Sequence, residues 1–327
     1  MNVPKFCAAV GLLLLASLAL GAADDRVHLL PKFSPGDTLR YRIETRLATA
    51  GRTTSPIENP EGASQLKQTV SLVVRLDVLS TPPAAPAPAG SVRLRATYEK
   101  SSATSETDAY DPQAAALEDQ YNRLEGHSID FTIEPGGKVS DIKGLDEVLP
   151  NPSAAQAARG FMAGLSPGAK LPKAGISIGQ RWSNEQPLAG TPLANLVLRT
   201  ESNYLRNEPC AASSAPPAAA LPPSAAAEMC AVILTRSEIL HHGGRNDATP
   251  EDYRRNGLRT SGSWTGTGES LDSISLSTGL VVRSTQTNSQ EMDYEVVSAA
   301  SGSRMTYKGR VHSESEVTLL PPSPAQP

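Results

Sequence analysis

Aromatic side chains are scarce in this chain. Its 327 residues include four phenylalanines, two tryptophans and eight tyrosines. Stacking platforms for nucleic-acid bases are built from such side chains, and the same scarcity weakens a sugar-binding interpretation. Long basic runs are also missing, and the formal net charge is −4. We therefore expect no nucleic-acid partner, because the electrostatic footprint of one is absent.

Apolar runs long enough to span a bilayer are missing too, since a spanning helix needs roughly 20 residues. The longest apolar stretch, Cys7–Leu20, follows the basic Lys5 and precedes the small residues Gly21–Ala23. This order is typical of a signal peptide that is cleaved after Ala23. We expect residues 1–23 to be removed, and the mature protein to be periplasmic or secreted and not membrane-spanning.

Cysteine is nearly absent from the rest of the chain. Only Cys210 and Cys230 follow the signal segment, and an Ala/Pro-rich segment separates them. Disulfides persist in an oxidising compartment, so we expect these two residues to form one bridge. A redox pair or metal site is the alternative, but the spacing is not CxxC and no histidine cluster accompanies it.

Catalytic and metal-binding patterns are weak. Gly175–Gly179 matches GxSxG around Ser177, but that chemistry needs a strand, a sharp turn and a helix, and the following residues indicate another strand. The adjacent His241 and His242 fall at the end of a predicted strand, where neighbouring side chains point to opposite faces. We expect no catalytic residue, no metal site and no cofactor, although an enzyme is not excluded.

Alternation of apolar and polar residues recurs through the mature chain and predicts half-buried antiparallel strands. Leu39, Tyr41, Ile43 and Leu47 alternate with charged residues, and Val92–Tyr98 shows the same period. The pattern returns near the C-terminus, between Met305 and Leu319. Helical signals are few: Asx-Pro or Thr-Pro pairs at Asp111, Asn151 and Thr249 predict short helices.

Three features recur in the same order in the two halves of the chain: a glycine turn before a strand, two strands around a Pro/Ala-rich segment, and a strand-turn-strand hairpin. A glycine turn at Gly36 is repeated at Gly179, and a hairpin turn at Gly137 is repeated at Gly279, with offsets of about 143 residues. We predict a mainly β protein made of two tandem antiparallel β-units, as curved sheets or half-barrels, with a few short helices. The expected units are residues 24–150 and 174–320, with a helical connection at 151–173 and a disordered tail at 321–327.

This layout resembles that of uncharacterised secreted bacterial β-rich proteins. The resemblance is carried by the signal segment, the Pro35-Gly36-Asp37 turn before a strand, and the hairpins Glu134–Val139 and Ser277–Val282. More distantly, the chain looks like the half-barrels of periplasmic lipoprotein carriers. That resemblance implies a curved sheet that shelters acyl chains, but it supplies no matching functional residue.

The leading hypothesis is a non-catalytic envelope protein that binds a lipid or other apolar ligand, or an envelope protein. Apolar strand faces would then line a ligand groove, with candidate residues Leu39, Tyr41, Ile43, Leu94, Tyr98, Met305 and Tyr307. For any one of these residues, an ordinary closed core is favoured over a groove. Two other hypotheses remain open. One is a secreted hydrolase that uses Ser177 or a polar cluster brought together only by folding, and the other is a structural or assembly factor.

Overall fold

The computed structural model describes residues 26–54, 64–79, 88–167, 171–188, 190–210, 228–243 and 248–321. The predicted signal peptide, the segment 211–227 between the two cysteines and the tail from residue 322 lie outside the described residues.

Eleven strands and four short helices make up the described part of the chain. The strands are β1 (Thr38–Thr54), β2 (Gln65–Val78), β3 (Val92–Thr107), β4 (Ser128–Ile133), β5 (Val139–Lys143), β6 (Arg181–Pro187), β7 (Leu196–Pro209), β8 (Met229–His241), β9 (Leu258–Ser275), β10 (Val281–Ser298) and β11 (Arg304–Leu320). The helices are α1 (Pro112–Asn122), α2 (Leu145–Val148), α3 (Pro152–Gly164) and α4 (Glu251–Arg255). No helix in this described part is long and apolar enough to cross a membrane.

All eleven strands form one antiparallel sheet in the order β5-β4-β3-β2-β1-β11-β10-β9-β8-β7-β6. The sheet is open, because β5 and β6 lie at its two ends and do not pair with each other. The prediction of a mainly β protein with curved antiparallel β-units and a few short helices is confirmed. The two units share a single sheet, a point that the sequence left open.

The two units repeat the same succession of elements. β1 to β5 with α1, and β6 to β10 with α4, both follow the order strand-strand-strand-helix-strand-strand. The repeated turns also match, because Gly36 and Gly179 both have positive φ. Each donates its amide to a carbonyl in the second strand of its unit, that of Val78 in β2 and that of Tyr204 in β7. β11 lies outside the repeat and pairs with both β1 and β10, so it joins the units edge to edge.

Two of the predicted helices begin where the sequence places their caps. The Asp111 carboxylate accepts hydrogen bonds from the first amides of α1, and the Asn151 side chain accepts one from the amide of Ala154 in α3. The third predicted helix, α4, is a single turn after Pro250. The four-residue α2 was not predicted, since it lacks a side-chain cap and begins after Gly144.

The first and largest hydrophobic cluster lies under β1 to β4. Tyr41, Leu94 and Phe131 are fully buried there, and Phe161 of α3 meets the Tyr41 ring edge-on at a centroid distance of 6.0 Å. Helices α1 and α3 therefore cover one face of the first unit.

Two smaller clusters lie in the second unit. One contains Leu29, Ile176, Tyr204 and Ile274, and the N-terminal segment joins it through a β-bridge between Val27 and Ile176. The other is formed by Leu193, Leu196, Ile239 and Ala248 beside β7 to β9.

Candidate functional site

The long strands at the middle of the sheet extend beyond the first two clusters, and two of their side chains, Trp264 and Tyr294, pack against the third. We call residues 45–53 of β1, 305–315 of β11, 286–296 of β10 and 260–270 of β9 the four-strand section. Directly opposed residues of antiparallel strands point to the same face of a sheet, so the pairing register assigns each side chain to a face. The two faces differ sharply in chemistry.

One face, called here the charged face, carries every charged residue of the section. They are Arg46, Arg52, Glu269, Glu291, Asp293, Glu295, Lys308, Arg310 and Glu314. Many of them pair across strands: Arg310 Nε lies 2.9 Å from Glu291 Oε1, and Lys308 Nζ lies 3.2 Å from Asp293 Oδ2. Both partners of each pair are well exposed, so each pair contributes little to stability. The charged face is therefore a solvated surface of paired charges.

Two shallow depressions lie mainly along the charged side of the sheet. The larger, of about 470 Å³, surrounds the ion pair between Arg236 and Glu269, whose Nε and Oε2 atoms are 3.1 Å apart. The smaller, of about 320 Å³, lies between Arg46 and Glu316. Charged side chains of both signs line each depression.

The opposite face, called here the neutral face, carries no charged residue within the four-strand section. Its polar members are Thr45, Thr49, Thr53, Thr260, Ser270, Gln286, Asn288, Gln290, Ser313 and Ser315. Its apolar and aromatic members are Leu47, Trp264, Met292, Tyr294, Val296, Met305, Tyr307 and Val311. Most of these side chains are partly exposed, whereas Thr260 is buried and Trp264 and Tyr294 pack against the third cluster.

Five glycines lie on the neutral face: Gly51, Gly262, Gly266, Gly268 and Gly309. The side chain of Tyr307 lies over two of them, because a Cβ atom added at Gly309 would be 2.7 Å from Tyr307 Oη and one at Gly51 would be 3.1 Å from it. Gly262 has φ of +134°, and a Cβ there would meet the backbone of Tyr294. The side chain of Tyr307 therefore occupies space that a side chain at position 51 or 309 would otherwise fill.

Aromatic rings gather at one end of the neutral face. The Tyr294 and Tyr307 rings have centroids 5.4 Å apart and planes inclined by 35°. Trp264 Nε1 donates a hydrogen bond to Gln290 Oε1, 3.1 Å away, and the indole packs partly against the third cluster. Burial raises the pKa of Tyr294, and the neighbouring phenols of Tyr307 and Tyr253 raise it further. Tyr294 and Tyr307 thus form a ring pair, and Tyr294 and Trp264 both pack against the third cluster.

The predicted groove residues do not lie together. Tyr41, Leu94 and Tyr98 are buried in the first cluster, and Leu39 and Ile43 pack against it. Met305 and Tyr307 lie at the other end of β11, because Tyr307 pairs with Thr53 whereas Ile43 pairs with Val317. Ten residues of strand separate these positions, a distance of about 33 Å. Five of the seven candidates therefore belong to a closed core, and two belong to the neutral face.

The Ser177 motif lies in a turn before β6. The Ser177 amide donates to Gln180 Oε1 at 3.1 Å, and its hydroxyl lies 3.5 Å from the same oxygen. The chain continues into strand β6 and not into a helix, so the turn differs from a nucleophile elbow. Within the described ranges, no hydrogen bond joins Ser177 Oγ to a histidine.

Cys210 and Cys230 form the predicted disulfide, with their Cα atoms 5.0 Å apart. The bridge joins the chain just after β7 to the start of β8, and Cys230 is fully buried. Elsewhere in the described residues, no group of three or more His, Cys, Asp and Glu side chains could hold a metal ion.

Sequence reasoning missed the neutral face. In β9 the even positions Gly262, Trp264, Gly266 and Gly268 are uncharged and follow the period of a strand, so a signal was present. The matching positions of β10 and β11 could not be aligned with it without the pairing register.

Comparison of the chain with protein-family models and with curated proteins finds no match.

Proposed function

We propose that this protein is a non-catalytic, exported protein of the bacterial envelope that binds a ligand or a partner protein through the neutral face. The observation that supports this proposal is the difference in charge between the two faces of the four-strand section. Most side chains of the neutral face are partly exposed to solvent, yet only the charged face has the charges that normally keep a solvated sheet face soluble. An uncharged surface loses little hydration energy when it is covered, so it is suited to contact with a ligand or a partner protein.

The packing of the first cluster favours binding at an open surface over binding in a groove that shelters the ligand. Tyr41 and Leu94 are fully buried among neighbouring side chains, so an acyl chain would have to displace packed residues to reach them. The neutral face needs no such rearrangement. A carrier that shelters a lipid is therefore less well supported than a protein that binds at an open surface.

Native mass spectrometry tests the binding function. The full chain, with its N-terminal segment, is expressed in a bacterial host, purified from the periplasm, measured intact and then unfolded in the same run. We expect a mass adduct or a bound partner that leaves on unfolding, and a mature chain beginning at Asp24. A bare mass for the folded protein would contradict the binding function, and retention of residues 1–23 would contradict export.

An assembly role is the second candidate, and the edge strand β6 favours it. Six of its seven residues are exposed, and it lies at one end of the sheet, where a further strand could pair. We expect replacement of Ser183 by proline to abolish any strand-mediated self-association seen by analytical ultracentrifugation. A monomer at all concentrations would remove this candidate.

The hydrolase hypothesis has a direct test at Ser177. A serine-reactive fluorophosphonate is incubated with the wild-type chain and with Ser177→Ala. Because no histidine is hydrogen-bonded to this hydroxyl in the described part, we expect no labelling of either protein. Labelling of the wild type that Ser177→Ala abolishes would replace the binding proposal with a catalytic one.

A further inference from the structure

We propose that the edge strand β6 pairs antiparallel with β6 of a second copy of this chain, so that two open sheets join into one. This inference rests on the assembly role proposed above, and it names the partner and the register in which the strands pair. Three features support it: the free backbone groups of β6, its charges, and the contrast with β5 at the other edge.

The hydrogen bonds beside β6 show which of its residues bond to β7. The amide of Leu188 donates to the carbonyl of Leu196 at 2.8 Å, and the amide of Tyr204 donates to the carbonyl of Gln180 at 3.1 Å. Both bonds continue the unbroken register of β6 with β7 at its two ends. Hydrogen-bonded pairs recur at every second residue of an antiparallel ladder, so the even-numbered residues of β6 bond to β7.

The odd-numbered residues of β6 therefore direct their backbone groups to the open edge. Within the described ranges, the amides and carbonyls of Arg181, Ser183 and Glu185 have no hydrogen-bond partner, and all three residues are exposed. Pro187 also lies on this side, and it ends the row of donors because proline has no amide hydrogen. Another extended strand offers carbonyls and amides at the spacing that these groups need.

The charges of β6 favour a second copy of the same strand. Arg181 and Glu185 lie two residues to either side of Ser183. If Ser183 pairs with Ser183 of the second copy, Arg181 of each chain lies directly opposite Glu185 of the other. Directly opposed residues point to the same face of a sheet, so two attractive charge pairs form across the junction.

Both charged side chains are able to make this contact. Arg181 is exposed and makes no ion pair within the described part of the chain. Glu185 Oε1 lies 2.8 Å from Arg199 Nε, and this pair is 45% and 41% exposed. A carboxylate accepts several hydrogen bonds, so Glu185 can meet a second guanidinium through its other oxygen.

Neighbouring registers lack this match. A junction centred on Asn184 would place Arg181 opposite Pro187, and Glu185 opposite Ser183, so no charge would face its opposite. A junction centred on Glu185 would oppose two carboxylates, and like charges in directly opposed positions are destabilising. The sequence of β6 therefore favours the register centred on Ser183.

The other edge of the sheet is less suited to pairing. β5 has only five residues, its register with β4 shifts between Asp130 and Thr132, and Asp141 has φ of +48°. Such irregularities interrupt the row of backbone groups that a partner strand needs. Pairing is thus confined to β6, and a twofold junction of β6 with itself closes after two chains.

Pairing at this edge leaves the neutral face uncovered. The four strands that form the neutral face are separated from β6 by β7 and β8. A dimer would therefore carry two neutral faces, and self-association and binding at the neutral face can be tested separately.

Analytical ultracentrifugation of the full mature chain tests the junction. Protein purified from the periplasm is measured over a series of concentrations, and we expect a monomer–dimer equilibrium. Ser183→Pro should abolish the dimer because it removes the central donor, and it should still fold, since proline is tolerated at edge strands. A wild type that is monomeric at all concentrations, or a dimer that Ser183→Pro leaves intact, would overturn the proposal.

Charge-reversed variants test the register. We expect Arg181→Glu and Glu185→Lys each to weaken dimerisation about tenfold, because each variant opposes like charges at both pairs. An equal mixture of the two variants should recover the wild-type affinity within about threefold, since opposite charges then face each other at both positions. This recovery also shows that both variants fold. Lys143→Glu, a charge reversal on the other edge strand, is the control and should not change the dimer.

The outcomes separate this junction from the proposed functions. A dimer that Ser183→Pro abolishes, but that neither charge reversal weakens, would overturn the pairing register and leave an assembly role of β6 standing. A monomeric wild type that keeps an adduct in native mass spectrometry would overturn the dimer and leave binding at the neutral face standing. Assemblies larger than a dimer would contradict a junction that closes after two chains.

Discussion

The phenol of Tyr41 donates a hydrogen bond to the backbone carbonyl of Val281, 3.1 Å away and 240 residues further along the chain. Tyr41 lies near the start of β1, and Val281 begins β10; β11 separates these strands in the sheet. The bond therefore ties the two units together where they join. Both residues are buried, so water cannot replace the donor if it is lost.

Tyr41→Phe tests this tie between the units. Removal of the hydroxyl leaves the Val281 carbonyl without this buried partner, so we expect the free energy of unfolding to fall by about 1 to 2 kcal/mol. Tyr110→Phe is the matched control, because Tyr110 is 81% exposed and should change stability by less than about 0.5 kcal/mol. Urea unfolding curves measure both. Equal stability of Tyr41→Phe and the wild type would show that the bond does not hold the units together.

The glycines of the neutral face make a separate prediction about its shape. An alanine at Gly262 would clash with the backbone of Asp293 and Tyr294 on the neighbouring strand, so we expect Gly262→Ala to lose about 2 kcal/mol or more. Gly302→Ala is the control, since Gly302 also has positive φ but nothing lies within 4 Å of the added carbon. Its cost should be about 1 kcal/mol, the conformational part alone. Thermal unfolding of both variants measures these two losses of stability, and the difference between them is the steric part. Equal losses in Gly262→Ala and Gly302→Ala would contradict the close approach of the neighbouring strand at Gly262.

Acid sensitivity should depend on Asp130. Its carboxylate accepts hydrogen bonds from Arg95 Nε at 2.7 Å and Arg93 Nη2 at 2.8 Å, and these bonds, led by Arg95, lower its pKa in the folded state. The folded protein therefore holds this proton less tightly than the unfolded chain. The stabilisation is present above the unfolded pKa, near 4, and is lost as pH falls through the folded pKa.

We expect Asp130→Asn to reduce the fall in unfolding free energy between about pH 5 and pH 2, measured by urea unfolding at a series of pH values. Asp119→Asn serves as the control, because the Asp119–Arg123 pair is 71% and 80% exposed and should contribute almost nothing. The same pH slope in Asp130→Asn as in the wild type would refute the role of this carboxylate.

The disulfide closes a loop with a sequence separation of 20. Loss of the bridge raises the conformational entropy of the unfolded chain. We therefore expect the double variant Cys210→Ser/Cys230→Ser to lose about 3 kcal/mol of unfolding free energy. The wild type treated with a reductant should match this variant in chemical denaturation, and the reductant should leave the variant unchanged. A wild type that is insensitive to the reductant would mean that the bridge is absent in the purified protein.

Strand faces were predictable from the sequence, and strand partners were not. Alternation placed Tyr41 and Ile43 on one face and Arg40 and Arg42 on the other, and the register confirms this. Alternation depends only on local geometry, with a period of two. Pairing of β1 with β11 joins segments more than 250 residues apart, and no local pattern encodes it.

The same limit explains what was missed at the site. Trp264, Tyr294 and Tyr307 lie on three different strands, so their clustering depends on register as well as on composition. Scarcity of aromatics argued against a stacking surface, but pairing concentrates several of them at one place. Leu39 and Leu94 were candidates for an open groove but belong to the closed core of the first cluster. Residues of α1 and α3 join that cluster, and although each helix could be predicted, its packing on the sheet could not.

The most direct test of the account places one charge on either side of the same strand. Thr49 points to the neutral face and Ala48, its neighbour, to the charged face. In native mass spectrometry of protein purified from the periplasm, we expect Ala48→Asp to keep the adduct seen with the wild type and Thr49→Asp to lose it, with both variants folded. An adduct retained by both variants, lost by both, or absent from the wild type would contradict binding at the neutral face.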